Sequence, residues 1–142
     1  AMRFAIVVSR FNPEVTNGLL DGAKKFLGEK KIKVVDGDVF SAPGAFELPL
    51  IAKKLAKKKK YSGVICLGCV IKGDTMHFEF ISLAATMGIL QVGLETEKPI
   101  CFGVLTTLTD EQATHRSRND AHNKGIEAAA ACWETARLIA SL

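Results

Sequence analysis

Four short apolar runs, separated by segments with helical periodicity, constrain this sequence more than any other feature. The first, Arg3 to Ser9 (RFAIVVS), shows no polar alternation. It reads as a strand covered on both faces, the habit of parallel sheets. Ile32 to Phe40 contains a second, weaker strand, Val64 to Ile71 is the third and Ile100 to Thr106 the fourth. Helices fit between them. Asn12 suits an N-cap, Pro13 the first helical position and Glu14 the positive end of the helix dipole. Val15, Leu19, Ala23, Phe26 and Leu27 then share one face. The Pro43-Gly44 turn precedes an amphipathic helix from about Phe46 to Lys58. Gly73-Asp74-Thr75 begins a helix that runs to about Gln91. Thr109-Asp110-Glu111-Gln112 carries a capping-box signature for a short helix. A loop from Ser117 to Asn123 leads into the last helix, Gly125 to Ala140.

Strand and helix repeated four times, with one helix added, predict an α/β protein: a three-layer α/β/α sandwich on a four-stranded parallel sheet, flavodoxin-like in outline, with right-handed crossovers. The chain has 142 residues, 48% of them hydrophobic, which suits one domain over residues 1–142 with a substantial core. From Phe80 to Leu94 the third helix has no charged residue. Outer helices of such a sandwich normally show a polar face, so this one predicts a subunit interface.

Several function classes are set aside. The net charge is only +4, and much of it lies in Lys53-Lys54 and Lys57 to Lys60. Without aromatic interleaving that run reads as the solvated end of a helix, and no nucleic-acid partner is expected. Residues 4 to 8 are too short for a signal-peptide core. The Phe80 to Leu94 stretch falls short of the ~20 residues of a spanning helix, so no membrane role and a cytoplasmic location are expected. Cys66-Leu67-Gly68-Cys69 has the C-x-x-C spacing, but no second ligand pair for zinc, and it lies in a strand rather than at a helix start. Buried, reduced thiols are the reading for Cys66, Cys69, Cys101 and Cys132. The three histidines are too scattered to suggest a metal.

In open parallel sheets, ligands bind beyond the carboxyl ends of the strands. Those ends carry Ser9 to Asn12, Ser41 to Glu47, Lys72 to His77 and Thr106-Thr107. Gly73-Asp74-Thr75 at a helix start would offer free amides to a phosphate, or Asp74 would simply cap the helix. His77 suits proton transfer, or a structural role. His115 to Gly125 is rich in cationic and polar groups, either a solvated loop or a grip for an anion. No phosphate-loop or dinucleotide fingerprint occurs, which argues against a nucleoside triphosphate or a dinucleotide.

Taken in order, these segments closely resemble the lumazine synthase family over nearly the whole chain. They are Arg10-Phe11-Asn12 with Val15-Thr16, Pro43-Gly44-Ala45-Phe46-Glu47-Leu48-Pro49, Gly68 with Val70 to Thr75 and His77-Phe78, Phe102 to Thr106, Glu111-Gln112-Ala113, and Asn123-Lys124-Gly125 with Glu127-Ala128-Ala129. The resemblance implies a transferase of riboflavin biosynthesis. It would condense 5-amino-6-ribitylamino-uracil with 3,4-dihydroxy-2-butanone 4-phosphate to 6,7-dimethyl-8-ribityllumazine, releasing phosphate and water, with no cofactor and no metal. Phe11 would stack on the pyrimidine, beside Asn12. Glu47 would bind the ribityl hydroxyls with main chain near Ala45 and Phe46, and Val70 and Ile71 would line the ring pocket. Asp74 and Thr75 would bind phosphate and His77 would shuttle protons.

The resemblance also implies a homo-oligomer, a pentamer or a multiple of pentamers, with active sites between adjacent subunits. Phe102, Arg116 and Lys124 would come from the neighbour: Phe102 closing the pocket, Arg116 clamping the phosphate and Lys124 approaching the pyrimidine carbonyl. Arg118, Asp120 and His122 stand where the family often has small residues, which leaves Arg116 and Arg118 as rival phosphate ligands, with Arg116 favoured by its spacing to Lys124. Only Ala1 and Met2 precede Arg3, where the family often has a further segment pairing with a neighbour, and Ala1 before Met2 reads as an addition to the natural start. Two other readings share the fold: a flavin- or lumazine-binding module without turnover, and an assembly protein. A pure binder does not need His77, Arg116 and Lys124, and an assembly protein does not need a stacking Phe, a phosphate-ready helix start and a His together.

Overall fold

A computed structural model describes residues 2–142; Ala1, and the reading of it as an addition, lie outside the described residues. Four strands, β1 (Phe4–Ser9), β2 (Val39–Ala42), β3 (Gly63–Ile71) and β4 (Ile100–Thr107), form one parallel sheet in the order β2-β1-β3-β4. Five helices accompany it: α1 (Pro13–Glu29), α2 (Leu48–Ala56), α3 (His77–Thr96), α4 (Asp110–His115) and α5 (Lys124–Ser141). The α/β sandwich expected from the sequence is the architecture found.

Alternation along the strands divides the core. Ile6, Ile65, Leu67 and Leu105 face α1 and α5, meeting Leu19, Leu27, Ala129 and Cys132. Ala5, Val7, Val64, Cys66 and Val104 face α2 and α3, meeting Leu48, Leu55, Ala85 and Ile89. Residues three apart on a strand point to opposite faces. Cys69 and Cys66 therefore lie in different layers, and the C-x-x-C spacing makes no pair. Burial pushes the Cys66 thiol up and that of Cys69 to about 11, so both stay protonated and unreactive.

Three elements differ from the sequence reading. The second strand begins only at Val39, after a 3-10 turn at Asp36–Asp38. Ile32 and Val34, which looked like strand, pack on the α1/α5 core instead. The cause is Asp38: its side chain is buried and accepts hydrogen bonds from Arg3 Nη2 (2.8 Å) and Tyr61 Oη (2.8 Å), which fixes the turn before pairing starts. The helix read from Phe46 opens as a 3-10 turn, Ala45–Glu47, before α2. The third helix starts at His77 rather than at Gly73 and runs on to Thr96.

That extra length matters. Helix α3 has 20 residues and is long and apolar enough, by length and composition, to cross a membrane, so the length argument made from Phe80 to Leu94 does not hold. One such helix is weak evidence for a span. Only Ala85, Ile89 and Val92 of α3 are buried, against the α2 side of the sheet. Phe80, Leu83, Met87, Leu90 and Leu94 are all exposed. Their spacing alternates three and four residues, which draws one continuous apolar stripe down the helix. The lysine run, by contrast, is the solvated end of α2, where cations complement the helix dipole.

The Asp38 cluster generates a stability prediction. Arg3, first, and then Tyr61 hold the Asp38 carboxyl below its ordinary range against the opposing cost of burial. A depressed carboxylate stabilises the fold fully above its unfolded value near pH ~4, and that stability is lost as pH falls through the lower folded value. Asp38→Asn should cost about 2 kcal/mol at neutral pH, since Arg3 is partly exposed and retains water. It should also flatten the fall in thermal midpoint below about pH 4 that the unsubstituted chain shows. An acid limb identical in both proteins would remove Asp38 from this role.

Candidate active site

Strands β1 and β3 are neighbours, but the chain leaves them toward opposite edges of the sheet. Such a switch point opens a crevice at the carboxyl ends of the strands. A cleft of about 470 Å³ lies there, lined by Phe11 and Asn12 after β1, Ala45 to Glu47 after β2, Val70 and Ile71 ending β3, and His77.

Local backbone geometry shapes it. Asn12 stands at the N-cap position of α1, yet its side chain caps nothing. It adopts the left-handed conformation (φ 56°, ψ 58°), and Nδ2 donates to the Cys69 carbonyl at 3.1 Å. Asn tolerates this conformation better than most residues with a β-carbon. The N-cap expectation is thus corrected: Asn12 ties the end of β1 to the end of β3. Beyond it, Phe11 is 68% exposed, and Phe46 across the cleft is 60% exposed. A β-carbon on Gly44 would lie 3.2 Å from Glu47 Oε1 and 3.4 Å from the Phe11 ring, so Gly44 lets the aromatic and the carboxylate approach each other. A flat aromatic face, an apolar floor of Val70 and Ile71 and one carboxylate suit a planar heterocycle with hydroxyls.

The 72–77 segment differs from its expected form. Gly73, Asp74 and Thr75 form an exposed bend ahead of α3, and neither Asp74 nor Thr75 lines the cleft. Asp74 does not cap the helix; Thr75 Oγ1 accepts from the His77 amide at 3.3 Å. Ahead of this bend Lys72 extends the β3–β4 pairing, its amide donating to the Thr107 carbonyl, and its ammonium pairs with Glu79 of α3. His77 is the first helical residue, not one turn in, and sits at the cleft wall.

Phe102, Arg116 and Lys124 lie elsewhere. They line a second cleft of about 440 Å³ between the end of β4 and the start of α5, with His115 and His122. Arg118 is not among its walls. Arg116 Nη1 donates to the Gln112 carbonyl (3.0 Å), and Lys124 Nζ to Glu127 Oε1 (2.9 Å). Thr109 Oγ1 caps α4 by accepting from the Gln112 amide, as its capping-box signature implied.

Asn123 holds this loop, a role the sequence reading missed. Oδ1 accepts from the amides of Gly125 and Ile126, capping α5. Nδ2 donates to the carbonyls of Gly18 and Arg118. Gly125 permits the approach, for a β-carbon there would lie 1.9 Å from the Leu19 carbonyl oxygen. The cap was legible as Asn before a helix; the bond across to α1 was not. Also unforeseen is the meeting of His115 and His122, whose ring centroids lie 4.6 Å apart. Among the described residues no group of three or more His, Cys, Asp or Glu is arranged to hold a metal.

A parallel α/β sheet with an aromatic-lined crevice at its switch point is flavodoxin-like in architecture, and a second cleft carries Arg116 and Lys124. Comparison with known sequences is more specific. The sequence pattern of the 6,7-dimethyl-8-ribityllumazine synthase family matches residues 1–140, and the chain belongs to that family. It is 61% identical over 137 residues to 6,7-dimethyl-8-ribityllumazine synthase 1 of Caulobacter vibrioides, covering 96% of this chain and 90% of that protein.

The tie between the two strand ends can be measured. Asn12→Ala should lower stability by about 2 kcal/mol, combining left-handed strain with one lost hydrogen bond. Asn12→Gly should cost clearly less, because glycine accepts the conformation freely. Equal losses in denaturant unfolding would show that strain at this position is unimportant.

Proposed function

We propose that the two clefts are halves of one active site, each completed by the other half from a neighbouring copy of the chain. The reaction is the family's: 5-amino-6-ribitylamino-uracil condenses with 3,4-dihydroxy-2-butanone 4-phosphate to give 6,7-dimethyl-8-ribityllumazine, phosphate and water. The observation that carries the two-copy reading is the division of the site residues. Phe11, Glu47, Val70, Ile71 and His77 share the first cleft; Phe102, Arg116 and Lys124 share the second. The exposed stripe on α3 supplies an apolar surface for association, and a pentamer or a multiple of pentamers is the assembly we expect. Identity of 61% to a named synthase does not favour a binder or scaffold without turnover.

In this reading the pyrimidine lies against Phe11, over Val70 and Ile71, and the ribityl chain runs toward Glu47 and the main chain of Ala45 and Phe46. Asn12 shapes the floor. Arg116 and Lys124 reach in from the neighbour, Arg116 to the phosphate and Lys124 to a ring carbonyl, and Phe102 closes the site. The exposed amides and hydroxyl of Asp74 and Thr75 complete the phosphate site once the neighbour covers them. The pyrimidine amine attacks the substrate ketone and water leaves, forming a Schiff base. Phosphate is then eliminated, and the ribityl-bearing nitrogen attacks the carbonyl that results, closing the ring with loss of a second water. His77, at the cleft wall, carries protons between these steps. Both substrates are reactive by themselves, so holding them together supplies much of the acceleration. We read residues 1–142 as one domain of this kind, acting in the cytoplasm, where its four free thiols would stay reduced.

Steady-state kinetics with the two substrates test the roles. Arg116→Ala should raise KM for the sugar phosphate about tenfold to a hundredfold, matching the loss of a charge-assisted bond, with little effect on the pyrimidine. Arg118→Ala should do neither. Equal losses for both substrates would remove Arg116 from the phosphate. His77→Ala should slow turnover by about a hundredfold or less, because proximity survives. An unchanged rate with assembly intact would make His77 structural. For the interface, Leu90→Asp should reduce the assembled mass in sedimentation; unchanged mass would exclude the α3 stripe.

A further inference from the structure

The second cleft holds a pair of histidines that the reaction scheme does not use. His115 ends α4, and His122 follows a loop that folds back so that the Lys124 amide donates to the Arg116 carbonyl at 2.8 Å. The two imidazoles stack with centroids 4.6 Å apart and planes tilted by 37°. Both line the same wall as Arg116 and Lys124.

The charges facing the pair come from every element around it. Arg116 follows directly on the end of α4. The loop contributes Asp120, whose Oδ1 accepts from the His122 amide at 2.8 Å and lies 3.4 Å from His122 Nδ1. Helix α5 contributes Lys124 and Glu127, which pair with each other. Strand β4 offers only Thr106 and Thr107, which are uncharged. Among the cleft walls Arg116 and Lys124 stand against the one carboxylate of Glu127, and Asp120 touches the pair from just outside them. To these fixed charges the pair adds histidines, the side chains that ordinarily change charge between pH 5 and 8.

We propose that His115 and His122 are anion-binding residues of the phosphate half of the site, and that phosphate binds there with uptake of a proton by the pair. This rests on the reading that the sugar phosphate's anion enters this cleft beside Arg116. Its consequence is a linkage: the anion is held more tightly as pH falls through neutrality, and inorganic phosphate leaves more readily when the pair gives its proton back.

Sulfate is the probe, because its charge does not change over the range. In the assembled enzyme at constant ionic strength, its inhibition constant against the sugar phosphate should rise about tenfold from pH 6 to pH 8, below the limit for one linked proton. The double variant H115Q/H122Q should flatten that rise to about twofold or less. A purely structural role would not alter the slope. Calorimetry of sulfate binding to the unsubstituted enzyme, in buffers of different ionisation enthalpy, reads proton uptake directly and needs no variant to fold. A flat profile in the unsubstituted enzyme, absence of proton uptake, or a slope kept by the double variant would overturn the proposal. Arg116→Ala separates the two readings. If it weakens sulfate while the histidine changes leave the slope intact, only the histidine inference falls. If it leaves sulfate and sugar phosphate unaffected, the phosphate reading of this cleft falls as well.

Discussion

Where β1 and β3 run side by side, one contact spans the crevice between their ends: Asn12 Nδ2 on the Cys69 carbonyl. Much of the site depends on it. The bond holds Asn12 in the left-handed region, which turns the chain sharply from strand to helix and leaves Phe11 projecting at the corner. Pro13 then starts α1 in a direction that packs Val15 and Leu19 onto the sheet. A residue that would otherwise cap a helix is used to shape a ligand cleft, at a cost in backbone strain that the parallel pairing on both sides sustains.

The same economy appears around Asn123. One buried amide side chain satisfies two orphan amides of α5 and two carbonyls, one of them on α1. Four bonds from one residue define where the loop carrying Arg116 can lie. The cations of that loop are occupied in the isolated chain, Arg116 by Gln112 and Lys124 by Glu127. Both contacts are at the surface and exchangeable, so the phosphate of the proposed reaction would have two charges to recruit without breaking the core.

In the proposed two-copy site, helix α3 would connect the fold to its assembly. Its inner face, Ala85, Ile89 and Val92, is buried in the core on the α2 side of the sheet. Its outer face presents larger apolar groups at coiled-coil-like spacing. A helix apolar nearly all round was legible as one that needs cover on more than one side; the sheet provides one side, and the stripe leaves the other available to neighbouring copies.

The sequence by itself determined the layered α/β architecture, because uninterrupted apolar runs such as FAIVV and VICLGCVI cannot be half-exposed strands and must be covered on both faces. It also put the candidate site residues at the carboxyl ends of the strands, where the clefts lie, and it carried the ordered motifs that resemble lumazine synthases. Only the tertiary structure decided the rest. Asp38 delayed the second strand by bonding residues far away in sequence, Arg3 and Tyr61. Helix α3 starts at His77, after an extended Lys72 tied to Thr107, and Asp74 and Thr75 stay outside the cleft. The fold also separated Arg116 and Lys124 from Phe11 and brought His115 against His122. Local periodicity reports which face of an element is apolar; long-range hydrogen bonds and close backbone approach decide where elements begin and which side chains meet, and neither has a signature in neighbouring residues.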